Sequence, residues 1–160
     1  MTDQPALLVT GLEKRYSVGL RGRLEVLKGL DMRVARGQVY GLLGRNGSGK
    51  STTFRILMSL SRPDAGSVEM LGGSPSDRHL RLRVGYCPES PQFPPNLTVT
   101  EVLRFHSSLV RSRLLTAGNR VDWLIDQFDL GEYRKRKVCQ LSRGGVQRLA
   151  LALTLLARPE

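Results

Sequence analysis

Gly44-Arg45-Asn46-Gly47-Ser48-Gly49-Lys50-Ser51-Thr52 is the stretch on which the fold turns. It fits G-x-x-x-x-G-K-S/T, the pattern of a loop that cradles phosphate. An apolar run, Val39-Tyr40-Gly41-Leu42-Leu43, stands directly before it and reads as a buried strand. A helical run, Thr52 to Leu60, follows directly. Strand, glycine loop and helix in that order are the context the pattern needs. Glycines let the backbone curl so that successive N–H groups turn inward and form a concavity for an anion. A helix starting near Gly49 adds its unpaired N–H groups and the positive end of its dipole. Lys50 brings a mobile positive charge for β- and γ-phosphates, and the Ser51 hydroxyl is placed to ligate Mg²⁺.

A length of 160 residues corresponds to one domain or one incomplete domain. A hydrophobic content of 40% is enough for a packed core. No apolar run reaches the roughly 18 residues that span a membrane. Met1-Thr2-Asp3-Gln4-Pro5 has neither the basic start nor the apolar stretch of a signal peptide. Cys87 and Cys139 make neither a disulfide framework nor a zinc site. The simplest expectation is a cytoplasmic chain with reduced thiols. The net charge of +11 is mostly arginine. It reads either as attraction to nucleic acid or an anionic membrane face, or as a domain whose acidic part lies elsewhere. The arginines are scattered along the chain, which favours the second reading and makes nucleic acid the weaker partner.

Around the loop, the sequence predicts a small, largely antiparallel sheet at the front. Residues 7–12 read as a first strand, followed by a glycine-bearing loop to Gly22. Leu24, Val26, Leu30, Met32 and Val34 read as two short strands around Lys28-Gly29. Behind the loop, Pro63-Asp64-Ala65-Gly66 is a turn, Ser67 to Leu71 a strand, Asp77 to Leu82 a short helix and Arg83 to Tyr86 another short strand. Pro91, Pro94 and Pro95 keep 87–97 out of helix. Thr98-Val99-Thr100-Glu101 is a capping-box pattern. Val99, Val102, Leu103, His106 and Val110 share one helical face, so His106 reads as packing rather than ligating. A second helix is expected over about 120–129, with Trp123 beside its apolar stripe, in the core or at an interface. Arg134-Lys135-Arg136-Lys137 reads as a solvated face. Leu141-Ser142-Arg143-Gly144-Gly145 opens a helix, Val146 to Ala157, apolar on more than one side.

A phosphate loop alone leaves many families open; the order of the other pieces narrows them. Tyr16 stands upstream, and Tyr86-Cys87-Pro88-Glu89 and then a helical stretch lie downstream. Leu141-Ser142-Arg143-Gly144-Gly145-Val146-Gln147-Arg148 caps the final helix. This arrangement resembles the nucleotide-binding domain of ATP-binding cassette (ABC) transporters, and the resemblance runs over essentially the whole chain. Leu42 to Gly47 with Ser51-Thr52-Thr53 looks most like single-cassette subunits that pair with separate membrane subunits. It implies an α/β fold: a P-loop NTPase core with an N-terminal antiparallel β subdomain and a helical insert. The segments would be 1–97 (β subdomain and P-loop core), 98–141 (helical insert) and 142–157 (signature helix).

The resemblance also implies roles. Gly44, Arg45, Asn46, Gly47, Ser48, Gly49, Lys50, Ser51 and Thr52 would hold the phosphates of ATP, with Mg²⁺ on Ser51. Tyr16 would stack on the adenine, as an aromatic face does without reading the base strongly. Ser142 and Gly144 would meet ATP bound to a second cassette, in a homodimer or a paired cassette. Separate transmembrane permease subunits would be the partners, and the protein would lie peripheral to the inner face of the cell membrane. Glu89 stands where the family usually carries glutamine; it is a weaker candidate for the metal and for catalysis, along with Lys50. Gly145 stands where glutamine is common. The family continues beyond a Pro-Glu with an apolar strand ending in Asp-Glu and a later histidine. None of these is in the 160 residues, so the C-terminal part of the core is expected to be missing and turnover by this chain alone to be slight. The unpaired core strand would then expose its apolar faces. Two alternatives are a soluble cassette ATPase acting on ribosomes or nucleic acid, and a kinase or small GTPase sharing only the phosphate loop.

Overall fold

A computed structural model describes residues 4–19, 22–110 and 117–160. Expectations that fall on residues 1–3, on 20–21 of the glycine-bearing loop and on 111–116 of the helical stretch lie outside the described residues. The chain forms two compact units, 1–81 and 82–160.

The first unit is built on a three-stranded sheet of order β2-β1-β3, with β1 Leu7–Val18, β2 Gly22–Val34 and β3 Ala65–Met70, all antiparallel. The hydrophobic alternation places Val9 and Leu12 of β1, Leu27 and Met32 of β2 and Met70 of β3 in its core, with Ile56 and Leu57 of the first helix. The strands expected as a short pair around Gly29 are one continuous strand. Gly29 does not break β2 but is absorbed as an irregularity in its pairing with Leu12 and Glu13, at φ 84°. Gly11, at φ 57°, sits in the corresponding irregularity of β1. Such bulges strengthen the local twist without ending the ladder. The first strand likewise runs on past residue 12, because each residue from Glu13 to Val18 has a partner on β2.

Helix α1 spans Lys50–Leu57 and a single-turn helix, α2, spans Arg78–Arg81. The expected strand Val39–Leu43 is not formed: Val39 is 98% exposed and Leu43 92%. A strand exists only against a ladder partner, and among the described residues none pairs with this run. Its near-continuous apolar character is that of a parallel strand covered on both faces. Arg83–Tyr86 fails to form a strand for the same reason.

The second unit is helical: α3 Val99–Val110, α4 Ala117–Gln127 and α5 Arg143–Thr154. Their apolar stripes meet in one core of Val99, Val102, Leu103, Val121, Leu124, Ile125, Leu130, Leu149 and Ala152. Trp123 is not in this core but 44% exposed; Leu151 of α5 and Leu155, its C-cap, are exposed as well. The proline-bearing stretch 87–97 belongs with these helices, since Val138 N–H donates to the Leu97 carbonyl and Cys139 N–H to that of Pro95. Two devices start α3. Thr98 N–H donates to Glu101 Oε2 (2.8 Å) while Glu101 N–H donates to Thr98 Oγ1 (3.3 Å), the expected capping box. The basic run is the second: Val99 N–H donates to the Arg136 carbonyl and Thr100 N–H to that of Arg134. Arg134 in turn forks onto Asp122 and Asp126 of α4. The run is thus a strap that satisfies a helix N-terminus, with Lys135, Arg136 and Lys137 exposed as the solvated-face reading expected.

Leu124 is fully buried, so Leu124→Ala should cost about 2–5 kcal/mol in denaturant unfolding, while Trp123→Ala should cost much less. The Thr98 N–H and hydroxyl hold the Glu101 carboxyl below its usual 4.5. A carboxyl lowered on folding contributes stability above its unfolded pKa and loses it as pH falls through the folded value. Glu101→Gln should therefore make the stability curve shallower below about pH 4.5, measured by unfolding at a series of pH values.

Candidate functional site

After β2 the chain turns at 35–38, where Gln38 Oε1 accepts from Ala35 N–H (2.8 Å). It runs unpaired to Gly44 and enters a loop in which Ser48 N–H donates to the Arg45 carbonyl (3.1 Å). Gly47 and Gly49 take φ values of 82° and 92°, which glycine adopts without strain. Gly49 also has no room for more than a hydrogen. A Cβ there would lie 2.6 Å from Leu27 Cδ2 and 3.0 Å from the Val26 carbonyl oxygen. The loop's last residue is thus pressed onto β2, and α1 begins one residue later.

That start carries no side-chain cap and no acidic residue in its first turn. The N–H groups of Lys50, Ser51 and Thr52 therefore have no intrahelical acceptor. Thr53, 1% exposed, anchors the turn by donating its hydroxyl to the Gly49 carbonyl (3.0 Å). Lys50 Nζ bends back across the loop and donates to the carbonyls of Gly44 (2.6 Å) and Arg45 (2.8 Å). An ammonium has three donors, so one remains for a further acceptor. Free amides, a helix dipole and two cations, Arg45 and Lys50, make this a place that suits a multiply charged anion. Ser51 is exposed on the same first turn. Among the described residues no group of three or more His, Cys, Asp or Glu comes together that could hold a metal ion. A cation here would therefore rest on the Ser51 hydroxyl and on oxygens of a bound anion, a donor set suited to Mg²⁺.

Tyr16 lies in the same unit. Lys14 and Leu27 are register partners and share a sheet face. The pairing is irregular between Lys14 and Arg15, but the Lys14 ammonium lies over the Tyr16 ring, so Tyr16 shares that face too. Leu27 is the side chain that closes against Gly49, so Tyr16 sits on the face that carries the loop. Lys14 Nζ lies 5.6 Å from the Tyr16 ring centre and 3.1 Å from Asp64 Oδ1. Asp64 Oδ2 accepts from Arg15 N–H (2.6 Å), and that bond holds its carboxyl below the usual range, assisted by Lys14. Arg15 itself is engaged by Glu25 and Glu13. A cavity of about 300 Å³ is lined by Arg15, Tyr16, Ser17, Arg23 and Asp64. Asp64 and Lys14 had no signal in the sequence beyond a turn residue and a charge beside Tyr16.

The remaining expected residues lie in the second unit. Glu89 is exposed in the stretch before α3. Gln147 Nε2 donates to Cys87 Sγ (3.8 Å), tying the Tyr-Cys-Pro-Glu turn to α5, a contact that sequence spacing did not announce. Ser142 is the N-cap of α5: its backbone is extended, at φ −66° and ψ 164°, and Oγ accepts from Gly145 N–H (3.2 Å). Ser142, Arg143 and Gly144 are exposed, again with no acidic residue in the first turn. Gly145 is buried, and a Cβ there would touch Leu141 at an ordinary 3.4 Å. At Gly144 the nearest atom to a Cβ would be 3.9 Å away, so nothing in this unit demands glycine.

Two acid-free helix starts thus stand out, one behind a glycine loop and one behind a serine. The model of the ABC transporter family matches residues 27–160. The chain belongs to that family. It is 39% identical over 157 residues to the daunorubicin resistance ATP-binding protein DrrA3 of Streptomyces coeruleorubidus, covering 97% of this chain and 48% of that protein. It is 37% identical to the Nod factor export ATP-binding protein I of Ralstonia nicotianae, covering 98% and 48%. The chain thus spans about half the length of the curated relatives it matches. Among solved structures, the ATP-binding subunit of an ABC transporter superposes with a TM-score of 0.80 at 28% identity, covering 96% of this chain and 63% of that one. The cbiO1 protein of Clostridium perfringens, part of the cbiONQ complex, gives 0.78 at 27%, covering 97% and 62%. The fold is therefore that of ABC ATPase cassettes, as the α/β reading expected.

Gly49→Ala should destabilise the protein by about 1–3 kcal/mol, through both the left-handed backbone and the collision with β2. Gly144→Ala should change unfolding stability by no more than about 0.5 kcal/mol.

Proposed function

We propose that this protein is the ATP-binding subunit of a membrane transporter. It binds ATP with Mg²⁺ and, as a complete protein, hydrolyses ATP between two cassettes to drive translocation by separate permease subunits. The observation that carries the reading is the loop of residues 44–49 held against β2 so that the free amides of α1 and the ammonium of Lys50 converge. Gly44, Arg45, Asn46, Gly47, Ser48, Gly49, Lys50, Ser51 and Thr52 take the phosphates, and Ser51 supplies an oxygen to the metal. Mg²⁺ when bound neutralises charge on the phosphate oxygens. Tyr16, on the loop-bearing face of the sheet, stacks on the base.

Ser142 and Gly144, exposed at the start of α5, reach the γ-phosphate of ATP held by a second cassette. ATP then joins two copies, and hydrolysis separates them. Glu89 stands ready to offer a carboxylate oxygen to the metal or to the attacking water. The names of the relatives, a resistance ATP-binding protein and a factor-export ATP-binding protein, support a transport role. No helix among the described residues is long and apolar enough to cross a membrane. That suits a subunit lying against the inner face of the membrane. The net charge of +11 comes from arginines scattered along the chain, which does not favour the nucleic-acid alternative.

The 160 residues contain no Asp-Glu pair at the end of an apolar strand. A polypeptide limited to these residues should therefore bind ATP and turn it over slowly or not at all. Turnover at ordinary enzyme rates, in a steady-state phosphate-release assay, would contradict this. With ATP at 100 times its dissociation constant, binding should stabilise the protein by about 2.7 kcal/mol, and Lys50→Ala should abolish that shift. A thermal shift by ATP that survives in Lys50→Ala would count against the site.

A further inference from the structure

Asp64 stands at the point where the sheet changes from three strands to two. The last register pair between β1 and β3 is Glu13 with Ala65. Beyond it, one edge of β1 from Lys14 to Val18 has no strand beside it among the described residues, and Tyr16 lies in the middle of that edge. Three bonds from one residue secure the approach. Asp64 N–H donates to the Glu13 carbonyl (2.9 Å), Oδ2 accepts from Arg15 N–H (2.6 Å), and Oδ1 accepts from Lys14 Nζ (3.1 Å). A side-chain carboxylate thus continues the ladder by one rung where the strand has run out. It also holds an ammonium beside the Tyr16 ring.

We propose that Asp64 is a positioning residue for nucleotide binding: it clamps β1 on both sides of Lys14 and so fixes the Tyr16 ring where a base can stack. The proposal rests on the stacking role given to Tyr16 above. An unclamped strand end costs affinity because the ring must be ordered when the base arrives. The backbone N–H of Arg15 would also lose its acceptor. Arg15 cannot take over the clamp, because its guanidinium is engaged by Glu13 and Glu25. The phosphate loop needs none of these bonds, being held from Leu27, Val26 and Thr53. The clamp should therefore serve the base and not the phosphates.

That separation gives the test. Dissociation constants for ATP and for inorganic tripolyphosphate, each with Mg²⁺, are measured by calorimetry on the full-length protein and its variants. Asp64→Ala should weaken ATP about tenfold and leave tripolyphosphate unchanged, because only ATP brings a base to stack. Asp64→Asn, which keeps an oxygen for the Arg15 N–H, should recover part of the loss. Tyr16→Ala should weaken ATP by a similar factor, and Tyr16→Ala with Asp64→Ala should be no worse than Tyr16→Ala alone. If Asp64→Ala leaves ATP binding unchanged, weakens both ligands alike, or adds its full effect to that of Tyr16→Ala, the positioning role is overturned. If Tyr16→Ala itself leaves ATP binding unchanged, the stacking reading falls and this inference falls with it.

Discussion

The contact between Gly49 and β2 is the constraint from which the rest of the first unit follows. Glycine is required there twice over, by a left-handed backbone and by Leu27 and Val26 standing where a Cβ would be. With Gly49 fixed, α1 has a defined first turn. With that turn fixed, three amides without intrahelical acceptors point into the loop, and Lys50 reaches its carbonyls. The surface of the loop is therefore made mostly of backbone, and the sheet is its foundation. Side chains add charge to a shape that the main chain has already set.

The second unit applies the same physics differently. Ser142 caps α5 through its own hydroxyl, so the cap is satisfied inside the unit, while the surface around Arg143 and Gly144 stays open. Nothing in the packing calls for glycine at 144. A requirement for a small residue there would have to come from something outside the unit, which is what an ATP-mediated pairing of cassettes would supply. At Gly145, which is buried, a Cβ would meet only ordinary contacts with Leu141 and Ser142, so the backbone there does not itself require glycine.

Local chemistry was legible in the sequence, and partner-dependent structure was not. The phosphate-loop pattern, the Thr98–Glu101 capping box, the Ser142 cap and the apolar stripes of α3 and α4 all depend on residues a few positions apart. The capping box, the Ser142 cap and the two stripes form as read, and a helix starts directly behind the loop. The Val39–Leu43 run was read correctly as apolar but is no strand, because a ladder needs a second chain segment that residue spacing cannot provide. Gly29 looked like a break and is a bulge, since only the opposing strand decides between the two. Residues 134–137 read as a solvated face, and 135–137 are indeed exposed; what spacing did not announce is that the carbonyls of 134 and 136 start α3. Asp64 was hidden for a related reason: a turn residue gives no hint that both its carboxylate oxygens are spent on a strand 50 residues upstream.

Amide hydrogen exchange followed at single-residue resolution, with and without Mg-ATP, tests the central claim most directly. If the phosphates rest on the backbone of the loop and the first turn of α1, ATP should slow exchange at Gly47, Gly49, Lys50, Ser51 and Thr52 above all other amides. Binding of ATP that leaves those amides exchanging as before, with protection appearing elsewhere in the chain, would contradict it.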